Sequence, residues 1–163
     1  MARVYLGIGS NLGDRQATID RALQFLKENE NIRVGAVSSL MESEPEGGVP
    51  QGRYLNGTVE IQTDLSPLDL LSQLKMIERR LGRKKGAMND PRPMDLDILF
   101  YDDVVIVDGK TLSIPHPRME RRLFVLKPLS EIAPDLVHPR LNKTVRALLE
   151  ECVHDSYSSQ PRP

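Results

Sequence analysis

The segment that most constrains the fold of this chain is residues 90–101. From residue 94 onward apolar and acidic side chains alternate, with Met94, Leu96, Ile98 and Phe100 separated by Asp95 and Asp97. A period of two predicts a β-strand, because successive side chains of a strand point to opposite faces of the sheet. We therefore expect the apolar set to enter a core. The two aspartates then share the other face, with Cα atoms roughly 6.6 Å apart.

Two interpretations of this acid pair are open. Alternating acids are most often the solvated face of a strand. However, two outward aspartates oppose β-propensity, and carboxylates this close repel each other unless a cation lies between them. The strand is entered through Pro91-Arg92-Pro93, which restricts the backbone and fixes where the guanidinium projects. Mg²⁺ takes one or two carboxylates plus substrate phosphates, so an acid pair beside a held arginine suits a polyphosphate substrate.

Composition limits the other functions that the chain can have. Its 163 residues, 39% of them hydrophobic, predict one domain over residues 1–153, followed by a flexible tail over 154–163. With 22 Lys+Arg against 23 Asp+Glu the net charge is −1, so we expect no nucleic-acid or membrane partner. The single cysteine, Cys152, excludes an intramolecular disulfide and fits a reducing compartment. No apolar run approaches the roughly 18 residues of a membrane span, and Met1-Ala2-Arg3 leads into a strand, which favours a cytoplasmic location. We also expect a monomer.

The periodicity along the chain predicts a βαββαβ order. Ser66, Pro67 and Asp69 form a strong helix start, and Gly82 is a stop signal. The predicted strands are residues 4–8, 32–43, 54–62, 94–101 and 104–107, the last pairing back; the predicted helices are 15–29, 67–81, a turn in 118–126, and 144–152. This order is typical of a ferredoxin-like α+β sandwich, here with an added β-hairpin and C-terminal helices.

Three loops carry residues that could bind a ligand. The glycines of the first turn have neither dinucleotide-fold nor P-loop spacing, so we interpret them as structural. Residues 44–52 hold two prolines and three glycines and form a longer loop than a hairpin needs, which favours a functional loop. The basic run 83–89 is ordinarily a solvated helix end, but it leads into the acid pair and so favours phosphate binding. His116 lies between two prolines; a lone histidine is more often structural, but its restricted backbone favours a nucleotide contact.

Pro91-Arg92-x-x-Asp95-Leu96-Asp97-Ile98-Leu99 resembles the signature of the 6-hydroxymethyl-7,8-dihydropterin pyrophosphokinase family. The resemblance extends over most of the chain, including the opening Ile8-Gly9-Ser10-Asn11-Leu12-Gly13 and a substrate-covering loop at residues 44–52. It implies transfer of a pyrophosphoryl group from ATP to the pterin hydroxyl with release of AMP, in folate biosynthesis.

The resemblance also implies a role for individual residues. Asp95 and Asp97 would bind two Mg²⁺ ions, and with Arg83 and Arg92 they form the catalytic set. ATP would contact Glu78, Arg92, Ile98, Ser113, His116 and Arg122. The pterin would contact Gly9, Ser43, Pro45, Tyr54, Asn56 and Phe124. Aromatic rings suit a flat heterocycle, and a primary amide can both donate to and accept from a pterin edge.

Some positions depart from the family pattern, and some alternatives stay open. Asn89-Asp90 stands where Trp-Gly is usual, Lys85 where an arginine is usual, and Glu44-Pro45-Glu46 where an apolar sequence is usual. These departures concern loop contacts and affinity. The general base is open between Asp97 and a metal-bound water. The rival functions are a non-catalytic module with a structural metal and a different ATP-dependent transferase on the same scaffold.

Overall fold

The computed structural model describes residues 1–44, 53–82, 94–107 and 111–158, and within them the chain forms an α+β fold. The strands are β1 Ala2–Ser10, β2 Ile32–Val37, β3 Met41–Ser43, β4 Tyr54–Thr63, β5 Asp95–Tyr101, β6 Ile106–Val107 and β7 Ser113–Ile114. The helices are α1 Arg15–Glu28, α2 Pro67–Arg80, α3 Leu123–Ile132 and α4 Val145–Ser158, with a short 3₁₀ turn at Met119–Arg121. An antiparallel sheet with helices is what the sequence predicted.

The main sheet has the strand order β2-β4-β1-β5, and β3 also pairs with β4. All of its pairings are antiparallel. The remaining two strands, β6 and β7, form a separate antiparallel hairpin. The sheet brings β5, which carries the acid pair, directly against β1, although the two strands are far apart in sequence.

Both helices that connect strands of the main sheet begin with a side-chain cap. The carboxylate of Asp14 accepts from Ala17 N at 3.1 Å, and the hydroxyl of Ser66 accepts from Asp69 N at 3.2 Å. Such caps satisfy amide groups that have no partner in the first turn of a helix. Beyond α2, Gly82 has φ +97°, a left-handed conformation that suits glycine and stops the helix. The predicted start and stop of α2 are therefore confirmed.

The two faces of the main sheet pack against different residues. Under α1 and α2 lies a cluster that includes Val4, Leu6, Ile8, Ile19, Leu26, Leu70, Leu74, Met94, Leu96 and Ile98. On the opposite face a second cluster includes Tyr5, Leu99, Phe100, Leu126, Leu129 and Leu148 from β1, β5, α3 and α4. The alternation along β5 thus separates its apolar side chains from Asp95 and Asp97, as predicted.

Phe100 departs from this alternation. The β1–β5 register shifts between Tyr5 and Leu6, where Leu99 is the extra residue on β5. A bulge of this kind moves the following side chain to the other face. Phe100 therefore packs with Leu99 in the second cluster, whereas strict alternation would place it with Met94.

The expected extended segment 32–43 is two strands, β2 and β3. Ser38 N donates to Thr58 O at 2.9 Å, and Ser39 N donates to the carboxylate of Glu131 on α3 at 2.9 Å. These bonds lie between β2 and β3, where the regular pairing with β4 is interrupted.

The other differences concern the end of the fold. The strand expected at 104–107 does not pair back on β5. Its last two residues, Ile106 and Val107, pair instead with Ile114 and Ser113 of β7. Helix α4 continues to Ser158, so residues 154–158 of the expected tail are helical. Among the described residues, no helix combines the length and apolarity of a membrane span.

Candidate active site

One row of paired residues crosses the main sheet and contains several of the predicted site residues. In the register, Gly9 of β1 lies between Asp95 of β5 and Asn56 of β4, and Asn56 in turn pairs with Met41 of β3. Residues paired in this way point to the same face of a sheet. The acid pair and the predicted pterin-reading amide therefore share one face, with a glycine between them. At ordinary strand spacing this puts the Cα atoms of Asp95 and Asn56 about 10 Å apart.

Asp95 and Asp97 both remain accessible to solvent. The side chain of Asp97 is 41% exposed, and Asp95 is half-buried, whereas Leu96 between them is buried in the core. The strand thus presents two carboxylates to one side. Oxygen ligands of this kind suit Mg²⁺, which usually completes its shell with water and substrate phosphate. Among the described residues no group of three or more His, Cys, Asp and Glu could hold a metal ion.

His116 lies beside the acid pair because its backbone is joined to β5. The His116 N–H donates to Leu99 O at 3.0 Å, and its Nε2 lies 3.9 Å from Asp97 Oδ1. The Nδ1 atom is 3.1 Å from Pro117 O, which can only accept, so Nδ1 carries the proton. Burial lowers the pKa of His116, and the nearby Arg122 lowers it further.

Arg122 and Phe124 are in contact with each other at the start of α3. The Arg122 guanidinium carbon lies 5.8 Å from the centre of the Phe124 ring, which is within cation–π range. The resemblance assigns Arg122 to the triphosphate and Phe124 to the pterin. The geometry places a predicted nucleotide residue against a predicted pterin residue.

Asn56 and its neighbours form the predicted pterin end. Asn56 is buried and its Nδ2 donates to Ser43 Oγ at 2.7 Å. A Cβ built on Gly9 would lie 3.0 Å from Asn56 Oδ1 and 3.6 Å from a ring carbon of Tyr54. Gly9, Ser43, Tyr54 and Asn56 are therefore brought together, as the resemblance implies.

The remaining predicted ATP residues lie on or near β5 but are less accessible. Ile98 is buried in the core under α1 and α2, and Ser113 is half-buried in β7. Glu78 is only 3% exposed, and its Oε2 accepts from Leu96 N at 2.8 Å. Glu78 thus contacts the backbone between the two aspartates, a contact that the sequence does not predict.

Pro45, Arg83 and Arg92 lie outside the described residues. The same holds for Glu46, Lys85, Asn89 and Asp90, which are departures from the family pattern. Their roles stay predictions.

An ion-pair network that the sequence does not predict lies beside the predicted pterin end. Arg15 at the start of α1 contacts Glu42 of β3 at 2.5 Å, and Arg53 contacts Glu42 at 3.5 Å and Glu44 at 2.8 Å. The Arg15 and Arg53 guanidinium groups lower the pKa of Glu42. Glu44 and Arg53 precede and follow the segment 45–52, so the network joins its two ends to α1. No local signal in the sequence reveals it, because the charges come from separate elements.

An α+β fold with an acid pair, an arginine and a histidine at one end of its sheet offers oxygen ligands for a divalent cation and positive charge for a phosphate group. Comparison with known proteins specifies the family. The family model of 7,8-dihydro-6-hydroxymethylpterin-pyrophosphokinase matches residues 5–134. The chain belongs to this family.

Curated relatives agree over most of the chain. It is 40% identical over 151 residues to the 2-amino-4-hydroxy-6-hydroxymethyldihydropteridine pyrophosphokinase of Aquifex aeolicus, covering 93% of this chain and 92% of that protein. The enzyme of the same name from Bacillus subtilis is 43% identical over 128 residues, covering 78% and 76%. The folic acid synthesis protein fol1 of Schizosaccharomyces pombe is 42% identical over 147 residues, covering 90% of this chain and 20% of the relative. The chain thus spans a fifth of that longer protein.

Solved structures support the fold. The HPPK-DHPS triple mutant S436F/A437G/A613S from Plasmodium falciparum, solved with SDX-DHP, superposes with a TM-score of 0.78 at 19% identity. The match covers 94% of this chain and 44% of that one. At this identity the likeness concerns the fold alone.

Proposed function

We propose that this chain transfers the pyrophosphoryl group of ATP to the hydroxyl of 6-hydroxymethyl-7,8-dihydropterin, releasing AMP, in folate biosynthesis. The observation that carries the proposal is the row Asp95–Gly9–Asn56 across the sheet. A cation-binding acid stands at one end of this row and a heterocycle-reading amide at the other. Membership of the pyrophosphokinase family supports the same reaction.

Transfer of a phosphoryl group depends mainly on positioning and on neutralising charge. The pterin hydroxyl oxygen loses its proton, which passes to solvent, and forms a bond to the β-phosphorus of ATP, while the bond between that phosphorus and the oxygen of AMP breaks. Two bound Mg²⁺ ions would neutralise the triphosphate and polarise its oxygens. Asp95 and Asp97 would hold these ions, and His116 and Arg122, with Arg83 and Arg92, would bind the phosphates. Ser113 and Ile98 would lie near the nucleoside.

The pterin would lie above the Gly9 end of the row. Tyr54 and Phe124 would stack on its two faces, since aromatic rings favour offset contact with flat heterocycles. Asn56 would pair with the amide-like edge, because Oδ1 accepts while Nδ2 donates. Ser43 holds the amide in place through its hydrogen bond to Nδ2.

The direct test is to incubate the protein with ATP, Mg²⁺ and the hydroxymethyl-dihydropterin and to identify the nucleotide released. We expect AMP and the pterin diphosphate. ADP would instead indicate simple kinase chemistry on the same scaffold. A folded protein that binds metal but yields neither nucleotide would favour the non-catalytic module.

We infer a ferredoxin-like topology as well, which the strand order β2-β4-β1-β5 supports. The monomeric state, the absence of a nucleic-acid partner and the cytoplasmic location stay predictions from composition. So does the flexibility of the chain beyond residue 158.

A further inference from the structure

The outer edge of β5 is held by contacts that do not come from another strand of the main sheet. Among the strands that the structure describes, β5 pairs only with β1 in that sheet, so polar backbone groups on its other edge need partners elsewhere. Two of them have one. Leu96 N donates to Glu78 Oε2 at 2.8 Å, and Leu99 O accepts from His116 N at 3.0 Å. Leu96 is the residue between Asp95 and Asp97, so the Glu78 bond acts at the centre of the acid pair.

The acceptor of the Leu96 amide is a buried carboxylate, that of Glu78. It lies in the last turn of α2, is 3% exposed, and stands among buried side chains that include Leu74, Ile77 and Leu81. Burying a carboxylate costs much more than burying a neutral amide, which could also accept from Leu96 N. A charged acceptor forms a shorter and stronger hydrogen bond than a neutral one. The Glu78 carboxylate therefore holds the Leu96 amide more firmly than a neutral acceptor would.

We propose that Glu78 is a positioning residue for the divalent-cation site, acting through the Leu96 peptide. This inference rests on the proposed function, in which Asp95 and Asp97 bind the cations. The Leu96 N–H belongs to the peptide that joins Asp95 to Leu96. A rotation of this peptide would turn the Asp95 carboxylate directly and would shift Asp97 through the backbone of Leu96. Mg²⁺ requires near-ideal octahedral geometry and tolerates such rotation poorly. Groups that orient metal ligands typically contribute about 10–100-fold to metal affinity or activity.

This role differs from the direct ATP contact that the family resemblance implies for Glu78. A residue that touches the nucleotide would change ATP binding and leave metal affinity intact. A residue that orients the aspartates would change metal affinity first. The two roles are therefore separable by measuring metal and nucleotide independently.

The experiment compares wild type with Glu78→Gln and Glu78→Ala. Glu78→Gln keeps the size and the acceptor but removes the charge. Binding of Mn²⁺ is measured by electron paramagnetic resonance, alone and with a non-hydrolysable ATP analogue, after circular dichroism has confirmed folding. Kinetic constants for Mg²⁺, ATP and the pterin are measured separately. The matched control is Glu131→Gln on α3, whose carboxylate also accepts a backbone amide, Ser39 N at 2.9 Å, away from β5.

We expect both Glu78 variants to bind Mn²⁺ about 10–100-fold more weakly, with the smaller loss in Glu78→Gln. Turnover should fall at low Mg²⁺ and recover in part at high Mg²⁺, while the KM for the pterin stays unchanged. Glu131→Gln should match wild type in Mn²⁺ affinity.

Wild-type Mn²⁺ affinity in a folded Glu78→Gln protein would overturn the proposal. If Glu78→Ala does not fold, the result for Glu78→Gln alone decides the test. Weaker ATP binding at unchanged Mn²⁺ affinity would overturn it too, in favour of a direct nucleotide contact. Failure of the proposed function would be seen separately, as a wild-type protein that binds Mn²⁺ but makes no AMP.

Discussion

Gly9 determines how much room Asn56 has on the active face of the sheet. A Cβ at this position would stand 3.0 Å from Asn56 Oδ1, closer than most carbon–oxygen contacts in proteins. In Gly9→Ala the amide must therefore move away from the position in which Ser43 holds it. We expect the KM for the pterin to rise about tenfold, which corresponds to loss of about one hydrogen bond to the substrate. Steady-state kinetics at saturating ATP would measure this change.

The neighbouring glycine on the same face supplies the control. A Cβ on Gly7 would meet Leu99 at 3.5 Å, an ordinary van der Waals contact. Gly7→Ala should therefore raise the pterin KM much less than Gly9→Ala does. Equal effects of the two substitutions would show that loss of glycine in β1, and not the displacement of Asn56, is responsible.

Substitution of the acid pair should separate loss of activity from loss of stability, because the side chains of Asp95 and Asp97 contribute nothing to the core. Asp95→Ala and Asp97→Ala should each lower kcat by at least about 100-fold, since each removes a proposed ligand of the cations. Their far-ultraviolet circular dichroism and melting temperature should stay close to wild type. Asp103→Asn, an exposed acid just beyond β5, should keep wild-type kcat. Near-normal turnover in either alanine variant would remove that residue from the metal site.

At the scale of elements, β5 shows what the sequence could and could not reveal. The faces of Met94, Leu96 and the two aspartates were predictable, because hydrophobic alternation encodes which side of a strand meets the core. The register that aligns Asp95 with Gly9 was not, since it depends on pairing between segments distant in sequence. The bulge at Leu99 and the Glu78–Leu96 hydrogen bond could not be predicted either, because they too depend on contacts between segments distant in sequence. The site residues came mainly from the family resemblance, while their alignment came from the structure.

The segment between α3 and α4 makes the stability dependent on pH through His138. This side chain is 5% exposed, packs edge-on against Phe100 at 5.6 Å, and accepts from Arg140 N and Leu141 N at 3.2 Å. Burial lowers the pKa of His138, and Arg140 lowers it further, while Glu120 opposes the shift. The pKa in the folded state is below its unfolded value of about 6.5. The stability that neutral His138 contributes is therefore fully present above that unfolded value and is lost as the pH falls through the folded one.

We expect the free energy of unfolding to decrease as the pH is lowered from 7.5 to 5, with His138 accounting for at most about 1.4 kcal/mol per pH unit. Urea denaturation at several pH values would measure the slope. His116, whose pKa is also lowered, contributes in the same direction, so the test is the difference between wild type and His138→Gln. A slope that His138→Gln leaves unchanged would assign the pH dependence to other groups.

At the scale of the whole molecule, one face of the sheet forms only core, whereas the other face also carries the candidate site. The face under α1 and α2 is closed by a continuous apolar cluster. The opposite face is covered by α3 and α4 around Tyr5 and Leu99, and it carries Asp95, Asp97 and Asn56 near the end of β1. A ligand at this end would contact residues from β1, β4, β5 and α3 together. Binding should therefore stabilise the fold as a unit.

The proposed function makes that stabilisation depend on a divalent cation. A ligand that binds only the folded state adds RT ln(1 + [L]/Kd), about 2.7 kcal/mol at a hundredfold excess over Kd. For a domain of this size we expect the melting temperature to rise by about 5–10 °C with a non-hydrolysable ATP analogue and Mg²⁺. Excess EDTA should abolish the shift, because the triphosphate would then face Asp95 and Asp97 without a cation between them. Differential scanning calorimetry of wild type and Asp95→Ala, with and without EDTA, measures both effects. A full shift in EDTA, or in Asp95→Ala with Mg²⁺, would mean that the nucleotide binds without the proposed cation site.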